Sequence, residues 1–197
     1  MRDDVGSFRA RGPAARPAAR PPTDLETYEG DPMSTTTTPN FTTRNDLDPT
    51  VRADVVAILN RQLAANADLY AQTKQAHWNV KGATFMQLHE LFDQIAEVIE
   101  PQTDELAERV AALGGYAEGT TRMIAEASPL PEWPRDAVKG EDVLQALVER
   151  WAAYGAGLRT AIAQVAEHDD VASEDLLTGI LGEVDKALYF LEAHLQG

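Results

Sequence analysis

DPTVRADVVAILNRQLAANADLYAQTKQAHWNVKG, residues 48–82, is the stretch on which the fold turns. Asp48 is a natural helix N-cap, and Pro49 suits the first helical position, where its missing N–H costs nothing. Val51, Val55, Ile58, Leu59, Leu63, Ala67 and Tyr70 then recur at helical spacing, and the pattern continues to about His77 before Gly82 stops it. An apolar stripe of that length needs other helices to cover it.

The following residues supply those helices. Thr84 followed by Gln87 has the form of a capping box and opens a second helix reaching about Leu113, where Gly114 and Gly115 end it. Residues 116–140 hold turn signals, SPLPEWP among them, with room for a short helix near 120–127. A third long pattern spans Glu141 to Glu167, Asp169 and Asp170 mark a turn, and a fourth runs from near Ser173 to near Leu195. The expected architecture is all-α: a four-helix bundle over 47–197, with a long connection that lets the second and third helices run parallel.

Residues 1–46 show no such periodicity. FRARGPAARPAARPP is rich in Arg, Pro and Ala, and the segment reads as a disordered tail. Met33 offers an alternative start, which would make residues 1–32 an upstream extension.

The chain has 197 residues, no cysteine, 17 basic and 32 acidic side chains, a formal charge of -15 and a pI near 4.5. The lack of cysteine excludes a disulfide framework, a thiolate metal site and a cysteine nucleophile, and fits a reducing compartment. No apolar run long enough for a membrane helix or a secretory signal is present, so no membrane partner and a cytoplasmic location are expected. The acidic balance suits cations and repels nucleic acid.

Four potential metal ligands lie on the second helix: His89, Asp93, Asp104 and Glu108. At 100° per residue they fall at about 0°, 40°, 60° and 100°, on one stripe, as two i,i+4 claws. His89 and Glu108 are nonetheless roughly 28 Å apart along a straight helix, whereas ligand bonds are near 2 Å. The claws therefore form two separate sites or meet a partner chain. A two-fold axis between antiparallel copies would set His89 and Asp93 of one chain against Asp104 and Glu108 of the other, with His77 completing each of two equivalent sites. Imidazoles and carboxylates together suit iron, manganese or zinc. Such pairs also occur as plain solvated faces, and a histidine beside a tryptophan is often only packed.

KQAHWNVKG at 74–82, LHELFDQ at 88–94 and DELAER at 104–109 followed by LGG resemble the Dps (DNA protection during starvation) family, the mini-ferritins. TRNDL at 43–47, GTTRMI at 119–124 and DKALYFLEAHL at 185–195 are similar to its enterobacterial branch. The resemblance covers about residues 42–197 and implies a ferritin-like subunit assembled as a hollow dodecamer. Such a shell oxidises Fe(II), preferentially with hydrogen peroxide, and stores ferric mineral. It implies ferroxidase ligands His77, His89 and Asp93 from one subunit and Asp104 and Glu108 from its partner, two irons per centre. Trp78 corresponds to the family tryptophan that intercepts oxidising equivalents, although interface packing explains it equally well. Pro101, inside the second helix, puts the fine aim of the Asp104 and Glu108 claw in question.

The resemblance also implies acids lining a channel that admits iron. Aligning DKALYF gives Asp185 that role, Asp175 ten residues earlier shares its broad face and Glu149 on the third helix is a weaker third, although such acids are also ordinary solvated surface. Glu97, Glu100 and Glu105 are candidates for mineral nucleation inside the cavity. DNA binding in the resembled branch uses lysines of an N-terminal tail. Here residues 33–50 carry Arg44 as their one basic residue, whereas residues 1–20 hold Arg2, Arg9, Arg11, Arg16 and Arg20. DNA binding and nucleoid association are therefore expected through the Arg-rich segment, and weakly if the chain starts at Met33. The alternative is a non-catalytic helical shell or DNA-compacting protein with a structural metal site. A 24-subunit ferritin is disfavoured, because the chain contains no E-x-x-H pair.

Overall fold

The computed structural model describes residues 38–196. Five helices follow one another: α1 Pro49–Asn79, α2 Phe85–Ala112, α3 Thr121–Ala127, α4 Gly140–Ala166 and α5 Val171–Ala193. The four long ones are those the apolar periodicity predicts, and α3 is the short helix in the connection.

The helix ends have local causes. The Asp48 carboxylate accepts the Thr50 N–H at 2.8 Å, and Pro49 opens α1. Asp170 caps α5 by accepting the Ser173 N–H at 3.3 Å, and Asp169 before it turns through φ 56°. Gly114 ends α2 at φ 82°, where an added Cβ would lie 2.5 Å from the Phe41 carbonyl oxygen. The capping box expected at Thr84 is absent: Thr84 precedes α2 but its side chain caps nothing, and the turn is made by Gly82 at φ 122°.

Side-chain pairs give the topology. Along α1 and α2, His77 meets His89, Lys74 meets Asp93 and Asn66 meets Gln102, so the two helices are antiparallel. Asn66 meets Tyr154 and Gln72 meets Arg150, so α1 and α4 are antiparallel too. It follows that α2 and α4 run parallel, as the long connection predicts. Arg109 against Ser173 and Arg159 against Asp185 set α5 antiparallel to both α2 and α4.

The core is built from Leu59, Leu63 and Leu69 of α1, Phe92, Ile99 and Leu106 of α2, Leu147, Trp151 and Leu158 of α4, and Leu177, Val184 and Leu191 of α5, all buried. Each such side chain contributes about 1.5–3 kcal/mol on burial. Arg150, buried on α4, latches the crossover. It donates to Gln72 Oε1 and to the Glu132 carbonyl and lies over the Trp133 ring. Gln72 donates to the Pro131 carbonyl and Ser128 to Asp68, which ties the SPLPEWP segment along α1.

The expected N-terminal tail, 1–46, lies outside the described residues as far as 37. Its last part is tied down: the Phe41 N–H donates to the Gly114 carbonyl at 2.8 Å and the Arg52 guanidinium to the Asn45 carbonyl at 3.2 Å. No helix among the described residues is long and apolar enough to cross a membrane.

Candidate metal centre

The last turns of α1 and the first turns of α2 carry His77, His89 and Asp93. The tight turn at Gly82 folds α2 back so that residues twelve apart come together. The two imidazoles stack with centroids 3.7 Å apart and planes inclined by 19°. Each ring then bonds the other helix: His77 Nδ1 to the His89 carbonyl at 2.8 Å, and His89 Nδ1 to the His77 carbonyl at 2.9 Å. A carbonyl only accepts, so each Nδ1 carries the proton. In the neutral rings this leaves both Nε2 atoms with free lone pairs, the usual arrangement of a metal-binding histidine.

Asp93 stands beside them, its Oδ1 3.9 Å from His77 Nδ1. Lys74 donates to the same Oδ1. That hydrogen bond holds the Asp93 carboxyl below the usual carboxylate range and raises the Lys74 ammonium above its own. The pair keeps Asp93 ionised, but an incoming cation meets a resident one. Lys74 is a residue that the spacing argument missed. Its signal was present in KQAH, because a residue three before His77 shares its helix face.

Asp104 and Glu108 lie on the same continuous α2, past Pro101, and both are exposed. Neither takes part in an ion pair among the described residues. The helix does not bring them to the histidines, and among the described residues no three His, Asp or Glu side chains close into a metal cluster within one chain. His77, His89 and Asp93 are thus a candidate half-site, and Asp104 and Glu108 stand apart from it further along α2. Trp78 is 61% exposed at the end of α1, with Phe85 and Met86 exposed nearby on α2. An apolar surface of that kind beside a candidate half-site fits a partner.

The three acids expected along an iron-admitting channel do not converge within the chain. Asp185 is gripped by Arg159, which donates to both carboxylate oxygens at 2.8 Å. Glu149 lies 3.3 Å from Arg150. Since Arg159 faces Asp185 across antiparallel helices, Glu149 and Asp175 lie roughly 15 Å from that level in opposite directions. Asp175 is exposed near the start of α5.

Residues 56–197 match the ferritin-like domain family. A DNA protection during starvation protein from Agrobacterium fabrum is 40% identical over 78% of this chain and 95% of its own length. A Dps structure from Mycobacterium smegmatis has 31% identity and a TM-score of 0.74, covering 78% of this chain and 93% of that one. A Dps structure from Vibrio cholerae, described as a member of a broad superfamily of ferritin-like diiron-carboxylate proteins, has 27% identity and a TM-score of 0.73 over 78% of this chain and 96% of its own.

Proposed function

This chain belongs to the Dps family of ferritin-like proteins, and on that premise we propose that it oxidises Fe(II) with hydrogen peroxide at centres shared between two subunits and stores the ferric product inside a hollow homododecamer. The observation that carries this reading is the exchange of Nδ1 hydrogen bonds between His77 and His89, which frees two Nε2 donors next to an ionised Asp93. The stripe supports the rest. Asp104 and Glu108 are too far along α2 to serve their own histidines but suitably placed for those of an antiparallel copy.

Iron is the substrate here. Two Fe(II) ions give one electron each to hydrogen peroxide, which takes up two protons and leaves as two waters, with no one-electron step to release hydroxyl radical. Neutral imidazoles from His77 and His89 hold the ions without cancelling their charge, and the carboxylates of Asp93 and of the partner's Asp104 and Glu108 favour the harder ferric product. Zinc or manganese would fit the same donors. Trp78 would lie at this interface, placed to intercept oxidising equivalents or simply to pack.

A cytoplasmic location fits this chemistry. The acidic surface favours cations, and Glu149, Asp175 and Asp185 are the acids proposed to admit iron between subunits. In a single chain Arg159 already occupies Asp185. DNA protection would require the Arg-rich segment before Met33, since residues 33–50 offer Arg44 alone.

The test is a His77→Gly/His89→Gly double variant. Its rate of peroxide-driven iron oxidation, followed by ferric absorbance, is expected to fall at least ~10-fold, while native mass shows an unchanged assembly. Wild-type rates in an assembled double variant would refute the centre.

A further inference from the structure

Pro101 leaves a gap in α2 at the worst place for a metal site. It has no N–H to offer the carbonyl four residues earlier, and Asp104 follows three residues later. The half of α2 that carries the claw is thus less firmly coupled in rotation to the half that carries His89 and Asp93. Ligand oxygens sit ~5 Å from a helix axis, so a rotation of about 20° moves them by ~2 Å, a whole metal–ligand bond length.

Two polar contacts, each anchored on a buried side chain of a neighbouring helix, restrain that half-helix. On its N-terminal side Asn66, fully buried on α1, reads two successive α2 residues: its Nδ2 donates to Gln102 Oε1 at 3.0 Å, and its Oδ1 accepts the Thr103 hydroxyl at 2.7 Å. The same Nδ2 lies 3.1 Å from the Tyr154 hydroxyl on α4, so three helices meet at one amide. On the C-terminal side, immediately after Glu108, Arg109 donates through Nε to Ser173 Oγ at 2.8 Å and through Nη2 to buried Asp170 at 2.6 Å. With Asp104 at 0° on the helical wheel, Glu108 falls at about 40°, Arg109 at about 140°, Gln102 at about 160° and Thr103 at about 260°. The restraints grip faces turned away from the claw, Arg109 and Gln102 on one side of it and Thr103 on the other.

We propose that Arg109, held by Asp170 and Ser173, and Thr103, held by Asn66, are positioning residues. They replace the rotational stiffness lost at Pro101 and so aim Asp104 and Glu108 at the partner's histidines. The proposal rests on the shared-centre reading above.

The test uses cobalt(II) titration of assembled, iron-free protein, read by calorimetry and by the visible ligand-field spectrum. Arg109→Gln is expected to lower cobalt affinity by ~10-fold or more and to shift the bands, because supporting partners of metal ligands typically weigh that much. Pro101→Ala restores the helical hydrogen bond, so Pro101→Ala/Arg109→Gln should regain most of the loss, which a merely structural lesion would not. Thr103→Val, which removes one hydroxyl and keeps the shape, should weaken cobalt binding in the same direction, and it decides the matter if Arg109→Gln does not assemble. Wild-type affinity and spectrum in the assembled variants would overturn the proposal, as would an equal loss with and without Pro101. Asp104→Ala separates the two levels. If it binds cobalt as wild type does, the shared centre itself is wrong; if it loses cobalt while Arg109→Gln and Thr103→Val do not, only the positioning role fails.

Discussion

The Lys74 ammonium is hydrogen-bonded to Asp93 Oδ1, so the one carboxylate in the half-site already has a cation on it. On the proposed reading, iron taken up there would compete with a lysine that cannot leave, only swing aside.

Replacing Lys74 with Gln is therefore expected to tighten binding of a divalent probe such as zinc, by ~10-fold, at neutral pH. The Lys74 hydrogen bond holds the Asp93 carboxyl below the usual carboxylate range, and without it the carboxyl returns towards that range, still ionised at pH 7. The change in affinity at pH 7 therefore reports removal of the competing ammonium rather than a change in the charge of Asp93. Zinc titration at pH 7 measures it; weaker binding in the variant would show that Lys74 supports the site.

A mixed assembly tests the sharing of ligands. Shells of Asp93→Ala subunits and of Asp104→Ala subunits should each be nearly inactive. Random mixing puts both kinds together in half of the dimers, each with one doubly defective and one intact centre, so about a quarter of wild-type iron oxidation should return. No recovery in shells proven mixed by mass would mean that the two claws do not meet.

Asp170 links α5 to α2 and gives the fold an acid limit. Burial pushes its carboxyl up, but the hydrogen bonds from Arg109 and Ser173 outweigh this and hold it below the usual range. A depressed carboxylate contributes stability above its unfolded pKa and loses it as pH falls through the folded one. Asp170→Asn should therefore be less stable than wild type at pH 7, by about 2–4 kcal/mol, with the gap closing towards pH 3. Denaturant unfolding at both pH values measures it; a gap that stays constant would rule out the charge as its source.

DNA retention should depend on the N-terminal segment. From Met33 onward the chain has 12 basic and 26 acidic residues, and a shell of it should leave DNA free in a low-salt gel shift. The full chain, with five arginines in residues 1–20, should retard DNA at low salt and release it well below ~1 M salt. Tight binding by residues 33–197 alone would relocate the contact to a basic patch made between subunits.

The four long helices and their direction were legible because each apolar stripe persists for many turns and its ends are marked by Asp48, Gly114 and Asp170. Thr84 misled because a capping box is a pattern of residue types, whereas the turn is governed by Gly82 and its positive φ. The site was legible as far as angular spacing reaches: His89, Asp93, Asp104 and Glu108 share a stripe whatever surrounds them. Contacts between helices were not legible in that way. KQAH puts Lys74 on the face of His77, but that it lands on Asp93, that Arg159 lands on Asp185 and that His77 stacks on His89 depend on which faces of different helices meet, and periodicity along one helix carries no such information.

The crossover between α2 and α4 also sets an order of assembly in time. Lys74 and Asp93 are 19 residues apart and Arg159 and Asp185 are 26 apart, so the α1–α2 and α4–α5 hairpins each close a short loop. Asn66 and Tyr154 are separated by 88 residues, and joining them costs about 1.4 kcal/mol more loop entropy than the α1–α2 hairpin. Local closures come first, so the two hairpins are expected to form early and dock late. The Asn66–Tyr154, Gln72–Arg150 and Arg109–Asp170 contacts are then among the last to set. A newly made chain would bring its histidines together well before it can aim its distant carboxylates, and its capacity to handle iron safely would arrive only with the final docking step.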